Sequence, residues 1–496
     1  MPMTRRRLAT LLAAVAVGAL AACGGETLTP APGKMPVTTT SKAALKEYFT
    51  GRDLVEKLRG GEAGAHFLKA AELDPKFALA HLGVATTAPG PTEFFPALRR
   101  AVELAPLVTE AEANIINAGD AGVNSRPDEQ RRLLEANAKA YPDDERAHSM
   151  LGNFLFGSQE WEAAIVEYKR AIAIDPKFSP PYNQLGYALR YLNHDAEAAA
   201  AFKTYTELLP DEPNPYDSYA EMLLHLGRYR ESIVEYQKAL DLNPNFPSAY
   251  VGIGHALIYL GEPDEARKAF IKLRFIARND GETRQAYLWL AGSYLFDGDY
   301  DGAIAEILKR FELAKAKSDK ASMANDTGLI AQILVDAGRA DEAKARLDEA
   351  MTFLDEAEVP AAVRENGHVG YLFGLARVAL VRGDIQDALA QAQKYRQRAE
   401  GGKIPDQIRT SHLLLGLIAS AQGEHAKAVT ELSQANLNDP RVLLALARAQ
   451  AANGDTRTAI ETCRQALVFN RPDLANAFVR VPGLALLKEL TAAAAG

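Results

Sequence analysis

Residues 151–176 read LGNFLFGSQEWEAAIVEYKRAIAIDP, and residues 185–210 read LGYALRYLNHDAEAAAAFKTYTELLP. The second stretch repeats the pattern of the first, and two further copies follow at the same interval. The recurring positions are Leu151-Gly152, Leu185-Gly186, Tyr219-Ala220 and Ile253-Gly254; Ala164, Ala198, Ser232 and Ala266; Tyr168, Phe202, Tyr236 and Phe270; and Pro176, Pro210 and Pro244. Four series of positions in one register indicate an array of structural repeats.

The body of the chain, from residue 44 onward, has the periodicity of α-helices. Apolar residues recur every three to four positions, and alternation of β-branched residues is scarce. The small residues would let two helices of one repeat approach closely, and the aromatic residue would fill the space between neighbouring repeats. The proline would end the second helix. Each repeat is therefore predicted to be a helical hairpin.

This pattern resembles the tetratricopeptide repeat, an antiparallel helix pair that stacks into a superhelix. The resemblance implies an all-α fold, a right-handed superhelix (solenoid) of about twelve such hairpins over residues 44–473. Residues 145–280 carry the regular repeats, and residues 44–144 and 281–473 carry divergent copies. Residues 474–496 are predicted to form a capping segment, which Pro482-Gly483 is expected to break once.

Composition excludes several classes of protein. The chain has 496 residues and a net charge of −8. This mild acidity argues against nucleic-acid binding, which usually requires a basic surface. Two cysteines are too few for a disulfide scaffold. No apolar run reaches the roughly 18 residues of a transmembrane helix.

The N-terminus has the features of a secretion signal. Residues 1–22 combine three consecutive arginines, an apolar stretch over residues 8–20 and two small residues before Cys23. The string Leu20-Ala21-Ala22-Cys23 resembles the lipobox of bacterial lipoproteins. That resemblance implies cleavage before Cys23 and lipidation of its sulfur. The alternative is an ordinary secretory signal in which this cysteine is incidental.

Lipidation would anchor the chain to a membrane that it does not cross. Two or more acyl chains are needed for stable anchoring. Gly24 stands where lipoproteins retained in the inner membrane often carry Asp, so the resemblance favours the outer membrane, with the protein facing the periplasm. Residues 23–43 would comprise the lipidated cysteine and a tether rich in Gly, Pro and Thr.

Members of this repeat family usually bind ligands on the first helices of successive hairpins. Projecting the regular repeats onto that surface predicts a partner-binding groove with many aromatic and amide side chains. Its residues are Asn153, Phe156, Asn183, Tyr187, Arg190, Tyr191, Glu221, His225, His255 and Tyr259. Such a surface suits an extended peptide and would also suit an apolar small molecule. For each residue, packing against the neighbouring repeat is the competing interpretation.

No recognisable catalytic or metal-binding motif is present. The sequence lacks HExxH, zinc-ligand spacing, GxSxG and phosphate-binding glycine loops. Residues 297–302 (DGDYDG) match half of a calcium loop, but Leu308 stands where that loop needs a glutamate, so a turn between helices is preferred. Cys463 lies among apolar residues and is predicted to be a buried thiol. We expect no cofactor, no metal and no enzymatic activity.

Two functions remain open from the sequence. The first is a non-enzymatic scaffold in the bacterial cell envelope that binds another envelope protein or peptide and contacts the membrane through its N-terminal lipid alone. The second is a periplasmic carrier for a lipid or another hydrophobic ligand. A long helical surface without a closed cleft favours the first.

Overall fold

The computed structural model describes residues 32–88, 90–124, 126–402, 404–468, 470 and 474–495. Over these residues the chain forms twelve successive helix pairs and a final helix, with one short 3₁₀ helix and no β-strand. The predicted all-α fold of helical hairpins is confirmed. The predicted signal peptide and the lipidation site Cys23 lie outside the described residues.

The chain divides into two compact units, residues 1–215 and 216–496, called here the N-terminal and the C-terminal unit. The helices of the N-terminal unit are α1 (Lys42–Glu56), α2 (Gly60–Leu73), α3 (Ala78–Thr86), α4 (Pro91–Leu104), the 3₁₀ helix Ala105–Leu107, α5 (Glu110–Val123), α6 (Pro127–Ala140), α7 (Glu145–Gly157), α8 (Trp161–Ile174), α9 (Pro180–Tyr191) and α10 (Asp195–Leu208). The unit boundary falls within α11 (Pro213–His225).

The C-terminal unit continues with seven further pairs. They are α12 (Tyr229–Leu242) with α11, α13 (Pro247–Tyr259) with α14 (Pro263–Ile276), α15 (Asp280–Phe296) with α16 (Tyr300–Ala316), α17 (Lys320–Asp336) with α18 (Ala340–Glu356), α19 (Ala361–Arg382) with α20 (Ile385–Gly402), α21 (Pro405–Ala421) with α22 (His425–Leu432), and α23 (Pro440–Ala452) with α24 (Thr456–Leu467). The last helix is α25 (Ala475–Ala495). In the described part of the chain, no helix is both long and apolar enough to cross a membrane.

In three of the four regular repeats the glycine and the aromatic residue pack directly on each other, whereas Tyr236 packs on Gly252 of the next hairpin. A Cβ atom on Gly152 would lie 2.7 Å from the Tyr168 ring, and one on Gly186 would lie 2.6 Å from the Phe202 ring. In the C-terminal unit the corresponding distance from Gly254 to Phe270 is 2.3 Å. In these three hairpins the aromatic ring therefore fills the space above the glycine of its own hairpin, and not the space between neighbouring repeats that the sequence predicted. Only a residue without a side chain fits beneath the ring.

Most turns within the longer hairpins use a glycine in the left-handed region. Gly383, for example, ends α19 with a φ of 76°. Three hairpins of the N-terminal unit differ, because Leu58, Gln159 and Asn193 adopt φ values of 60°, 62° and 59° at their turns. A branched side chain in that region is strained.

Residues 34–41, which belong to the segment predicted as a tether, bind along the N-terminal ends of several first helices. The backbone N–H of Met35 donates to Asp144 at 2.7 Å, and that of Thr38 donates to Glu112 at 2.6 Å. Thr39 and Thr40 both hydrogen-bond to Asp74. Carboxylates at the start of α5 and α7, together with Asp74 at the end of α2, thus hold this stretch against the N-terminal unit.

The C-terminal helix packs back onto the beginning of its own unit. Helix α25 contacts α23 and α24, as a capping helix should, and it also contacts α15. Its residue Ala477 belongs to the same apolar cluster as Leu290. The C-terminal unit therefore closes on itself, because one helix joins its last hairpin to its early ones.

The expected break at Pro482-Gly483 is absent. Helix α25 runs through Pro482 without interruption. The Sγ atom of Cys463 donates to the carbonyl oxygen of Gly483 at 3.3 Å. The free energy gained by packing against α23 and α24 offsets the cost of the one backbone hydrogen bond that a proline removes.

Candidate functional site

The predicted groove residues lie on the first helices of four consecutive hairpins. In the N-terminal unit, α7 carries Asn153 and Phe156, and α9 carries Asn183, Tyr187, Arg190 and Tyr191. In the C-terminal unit, α11 carries Glu221 and His225, and α13 carries His255 and Tyr259. Helix α7 lies beside α9, and α13 lies beside α15. In the N-terminal unit the predicted residues therefore lie on two adjacent first helices.

In the N-terminal unit, three aromatic rings form one cluster. The Trp161 ring stacks on the Tyr191 ring, with centroids 4.4 Å apart and planes at 13°. The Phe156 ring meets Trp161 edge-on at 4.9 Å and Tyr191 at 6.0 Å. Tyr191 remains 49% exposed. The cluster (Phe156, Trp161 and Tyr191) thus offers aromatic faces to solvent in a preformed arrangement.

A cation lies beside this aromatic cluster. The Arg190 guanidinium lies 5.0 Å from the centre of the Tyr187 ring and 6.0 Å from that of Tyr191. The Tyr187 ring in turn meets Phe202 edge-on at 4.9 Å. Cation–π contacts of this kind hold an arginine in a fixed orientation. Tyr187 therefore supports Arg190 at the edge of the cluster.

The two predicted asparagines have different environments. Asn153 is exposed, and its Oδ1 atom accepts a hydrogen bond from the Tyr168 hydroxyl at 2.9 Å. Asn183 is buried, and no described residue donates to its Oδ1 atom. The exposed amide nitrogen of Asn153 is the group that can donate to a ligand backbone.

In the C-terminal unit, the equivalent surface is covered by the end of the chain. Tyr259 stands two repeats after Tyr191, yet it is 5% exposed. Its hydroxyl accepts from Asn476 Nδ2 at 2.9 Å, and its carbonyl oxygen accepts from Arg480 at 2.8 Å. The Arg480 guanidinium also lies 5.0 Å from the centre of the Tyr259 ring. Tyr259 is therefore a docking residue for α25.

His225 and His255 are also engaged within the molecule. Asn470 donates from Nδ2 to the carbonyl oxygen of His225 at 3.2 Å. His255 is buried, its Nδ1 atom lies 2.8 Å from the Val251 carbonyl oxygen, and its ring meets the Trp289 ring edge-on at 4.8 Å. Burial lowers the pKa of His255 to about 4. This histidine is neutral at physiological pH.

Helix α11 carries two carboxyl groups one turn apart. Burial raises the pKa of Asp217 to about 7, and the negative charge of Glu221 also contributes to this rise. A carboxyl group with such a pKa is partly protonated near neutral pH. Two adjacent acids make this stretch unsuited to an anionic ligand.

The structure also shows the environments of the calcium-loop-like residues 297–302 and of Cys463. Asp299 accepts a hydrogen bond from the backbone of Gly302 at 2.8 Å and thereby caps α16, as expected of a turn. Among the described residues, no group of three or more His, Cys, Asp or Glu side chains could hold a metal ion. Cys463 is buried, as predicted, and burial raises the pKa of its thiol.

Sequence reasoning missed three contributors to these surfaces. Trp161 begins a second helix and was not projected onto the groove, although an aromatic residue at a helix start was a usable signal. Asn476 and Arg480 lie in the predicted cap, 217 and 221 positions along the chain from Tyr259, which both contact. No repeat pattern connects positions so far apart.

Comparison with known proteins agrees with this geometry. A family model described as TPR repeat matches residues 152–192 and 220–261, and two described as tetratricopeptide repeat match residues 251–320 and 410–475, and residues 369–394. The chain therefore contains tetratricopeptide repeats. Domains of this class bind protein partners or peptides, and they generally serve as non-enzymatic scaffolds.

Several solved structures are similar to parts of the chain. A tetratricopeptide repeat protein from Parabacteroides merdae has 17% identity and a TM-score of 0.40, over 52% of this chain and 97% of that chain. PilF of Pseudomonas aeruginosa has 19% identity and a TM-score of 0.34, over 41% and 91%. YrrB, described as having an unusual peptide-binding site, has 19% identity and a TM-score of 0.29, over 36% and 91%. No curated protein matches the chain.

Proposed function

We propose that this protein is a non-enzymatic scaffold that binds an extended peptide segment of another protein through the N-terminal unit. The observation that carries the proposal is the exposed aromatic cluster of Phe156, Trp161 and Tyr191 on consecutive hairpins. Aromatic residues and arginine supply most of the binding energy in protein interfaces, because they bury large areas at low entropic cost. Arg190 beside the cluster and the Asn153 amide add polar recognition of a peptide backbone.

Peptide display against the purified chain tests this proposal. Peptides that are enriched would be synthesised, and their affinity measured by fluorescence polarisation. Replacing one aromatic anchor, Tyr191→Ala, should weaken binding at least tenfold. The control is Val166→Ala. It removes an exposed side chain from α8, the second helix of the hairpin that carries Phe156. Equal affinity of both variants would refute the assignment, as would the absence of any enriched peptide.

We further propose that the partner is an envelope protein and that lipidated Cys23 anchors the chain to the outer membrane, facing the periplasm. The lipobox-like string before Cys23 supports this. Since hydrogen bonds hold the chain from residue 34 onward, only residues 24–33 separate the anchor from the N-terminal unit. A fully extended chain of ten residues spans about 35 Å. The peptide-binding unit would thus remain close to the membrane.

Metabolic labelling with palmitate tests the anchor. The natural chain should incorporate label and partition with membranes, whereas Cys23→Ala should do neither. The matched control is Cys463→Ala, which removes the other cysteine and should leave labelling unchanged. Labelling that persists in Cys23→Ala would contradict the proposal.

A further inference from the structure

A cavity of about 360 Å³ lies within the N-terminal unit, between residues 34–37 and the first helices of its hairpins. Helices α1, α3, α5 and α7 each contribute to its wall, and the extended stretch 34–37 closes one side. Its lining includes the apolar side chains of Leu45, Phe49, Leu79 and Ile115 and the charged side chains of Arg52 and Glu145. Its volume falls within the range of small-molecule sites.

Most of the cavity wall is apolar and comes from several elements. Leu45 and Phe49 lie on α1, Leu79 on α3, and Ile115 on α5. Phe49 remains 39% exposed, so a large apolar side chain at the cavity is still in contact with water. A ligand with an apolar part would remove this surface from water and gain the corresponding free energy.

One cation in the wall, Arg52, differs from the others in its hydrogen bonding. Arg146 binds both carboxylate oxygens of Glu56, at 2.7 and 3.1 Å. Arg52 therefore approaches Glu56 no closer than 3.8 Å, with its guanidinium 4.6 Å from the centre of the Phe49 ring. Within the described part of the chain, no residue accepts a hydrogen bond from Arg52. A guanidinium with unused donors is a strong binding group for a carboxylate.

The remaining carboxylates at the cavity are already used. Glu145 pairs with both Lys34 and Arg146. Asp144 caps α7 and accepts the backbone N–H of Met35. None of them is available to Arg52. Burial and the positive charge of Arg146 both lower the pKa of Arg52, in keeping with a cation that lacks a close partner.

We propose that this cavity binds a monocarboxylate with an unbranched apolar tail, such as a medium-chain fatty acid. The carboxylate accepts hydrogen bonds from Arg52, and the tail lies against Leu79, Ile115 and the neighbouring apolar wall. None of the lining residues belongs to the aromatic cluster of the peptide site. The proposal is therefore independent of the proposed scaffold function.

Calorimetric titration of the full chain with dodecanoate tests the proposal. Dodecanol, which has the same tail without the charge, and acetate, which has the charge without the tail, serve as comparison ligands. Dodecanoate should bind, dodecanol should bind more weakly, and acetate should not bind measurably. Arg52→Gln should weaken dodecanoate binding by about ten- to a hundredfold, the value of a charged hydrogen bond, and should leave dodecanol binding unchanged.

Two further variants separate recognition from loss of structure. Ile115→Trp fills the cavity and should abolish binding of both long-chain ligands. Arg100→Gln removes an exposed arginine from α4 and should change nothing. A thermal melt of each variant verifies folding. If Arg52→Gln fails to fold, the test rests on Ile115→Trp alone. Unchanged dodecanoate binding by the Ile115→Trp variant then overturns the proposal. Failure of the natural chain to bind dodecanoate, or equal binding by folded Arg52→Gln, also overturns it.

Discussion

Tyr191 in the N-terminal unit and Tyr259 in the C-terminal unit occupy the same position of the repeat, yet one is 49% exposed and the other 5%. Tyr191 stacks with Trp161 at an open surface. Tyr259 receives hydrogen bonds from Asn476 and Arg480 of helix α25. The repeat register thus determines which side of a hairpin a residue occupies. Whether that side is available depends on what the rest of the chain places against it.

Each unit also binds a part of its own chain, and the chemistry differs. In the N-terminal unit, carboxylates such as Glu112 accept backbone N–H groups of an extended stretch. In the C-terminal unit, side-chain amides and a cation–π contact hold a helix. The extended stretch runs along helix ends and leaves the aromatic cluster uncovered. The helix covers the equivalent surface, so we expect partners to use the N-terminal unit.

Deletion of α25 should have the largest effect on the difference between the two units. Deletion of residues 475–496 exposes the surface around Tyr259 and removes buried Ala477, Val479 and Leu490 from their cores. The C-terminal unit should lose about 5 kcal/mol or more, since each large buried side chain contributes about 1.5–3 kcal/mol. Hydrogen exchange should show loss of protection in α13 and α15, with the N-terminal unit unchanged. Unaltered protection around Tyr259 would mean that α25 does not cover this surface.

Replacing the repeat glycines should affect both units alike. Gly186→Val and Gly254→Val each force a side chain against an aromatic ring, where a Cβ atom alone would lie within 2.6 Å. Each should destabilise its unit by about 3 kcal/mol, at the upper end for overpacked cores. Denaturant unfolding measures the loss. Since Phe202→Ala alone should cost about 3–5 kcal/mol, the double variant Gly186→Val with Phe202→Ala should lose less than the sum of the two single losses. A fully additive loss would show that the ring is not what the new side chain meets.

Acid should weaken the C-terminal unit through His255. Its pKa of about 4 in the folded state lies below the ordinary value of 6.5, so the unfolded chain takes up the proton first as pH falls. The contribution of neutral His255 to the free energy of unfolding is fully present above pH 6.5 and decreases as the pH falls to 4. Between pH 7 and 5 the decrease is about 2 kcal/mol. His255→Phe should remove that part of the pH dependence, measured as free energy of unfolding at pH 7 and 5. An unchanged pH dependence would contradict burial of this imidazole.

The smallest effect is expected at the turn of the first hairpin. Leu58 holds a φ of 60°, whereas equivalent turns such as Gly383 use glycine. Leu58→Gly should relieve this strain and stabilise the N-terminal unit by up to about 1 kcal/mol, because glycine adopts the left-handed region freely. A thermal melt detects the shift. Leu58→Ala keeps the unfavourable conformation and should give no comparable gain.

Much of the fold could be predicted from the sequence, and less of the site. The helical hairpins follow from the spacing of residue types. The packing of Tyr168 on Gly152 of its own hairpin was not predicted, because the aromatic residues were expected to lie between neighbouring repeats. The same register placed Phe156 and Tyr191 on one surface, and the structure brings them together. It also placed His255 and Tyr259 there, without any sign that α25 lies against Tyr259. The predicted break at Pro482 failed because tertiary packing outweighed a local preference.

The sequence by itself determined the repeat: the helix pairs, the close contact of small and aromatic residues, and the side that each residue occupies. These contacts join residues about 16 positions apart and recur, so they leave a periodic pattern. Only the tertiary structure decided that residues 34–41 bind the N-terminal unit and that α25 closes the C-terminal one. Those contacts join residues up to 221 positions apart and occur once. An interaction that occurs once produces no periodicity, and it becomes visible only when the chain is folded.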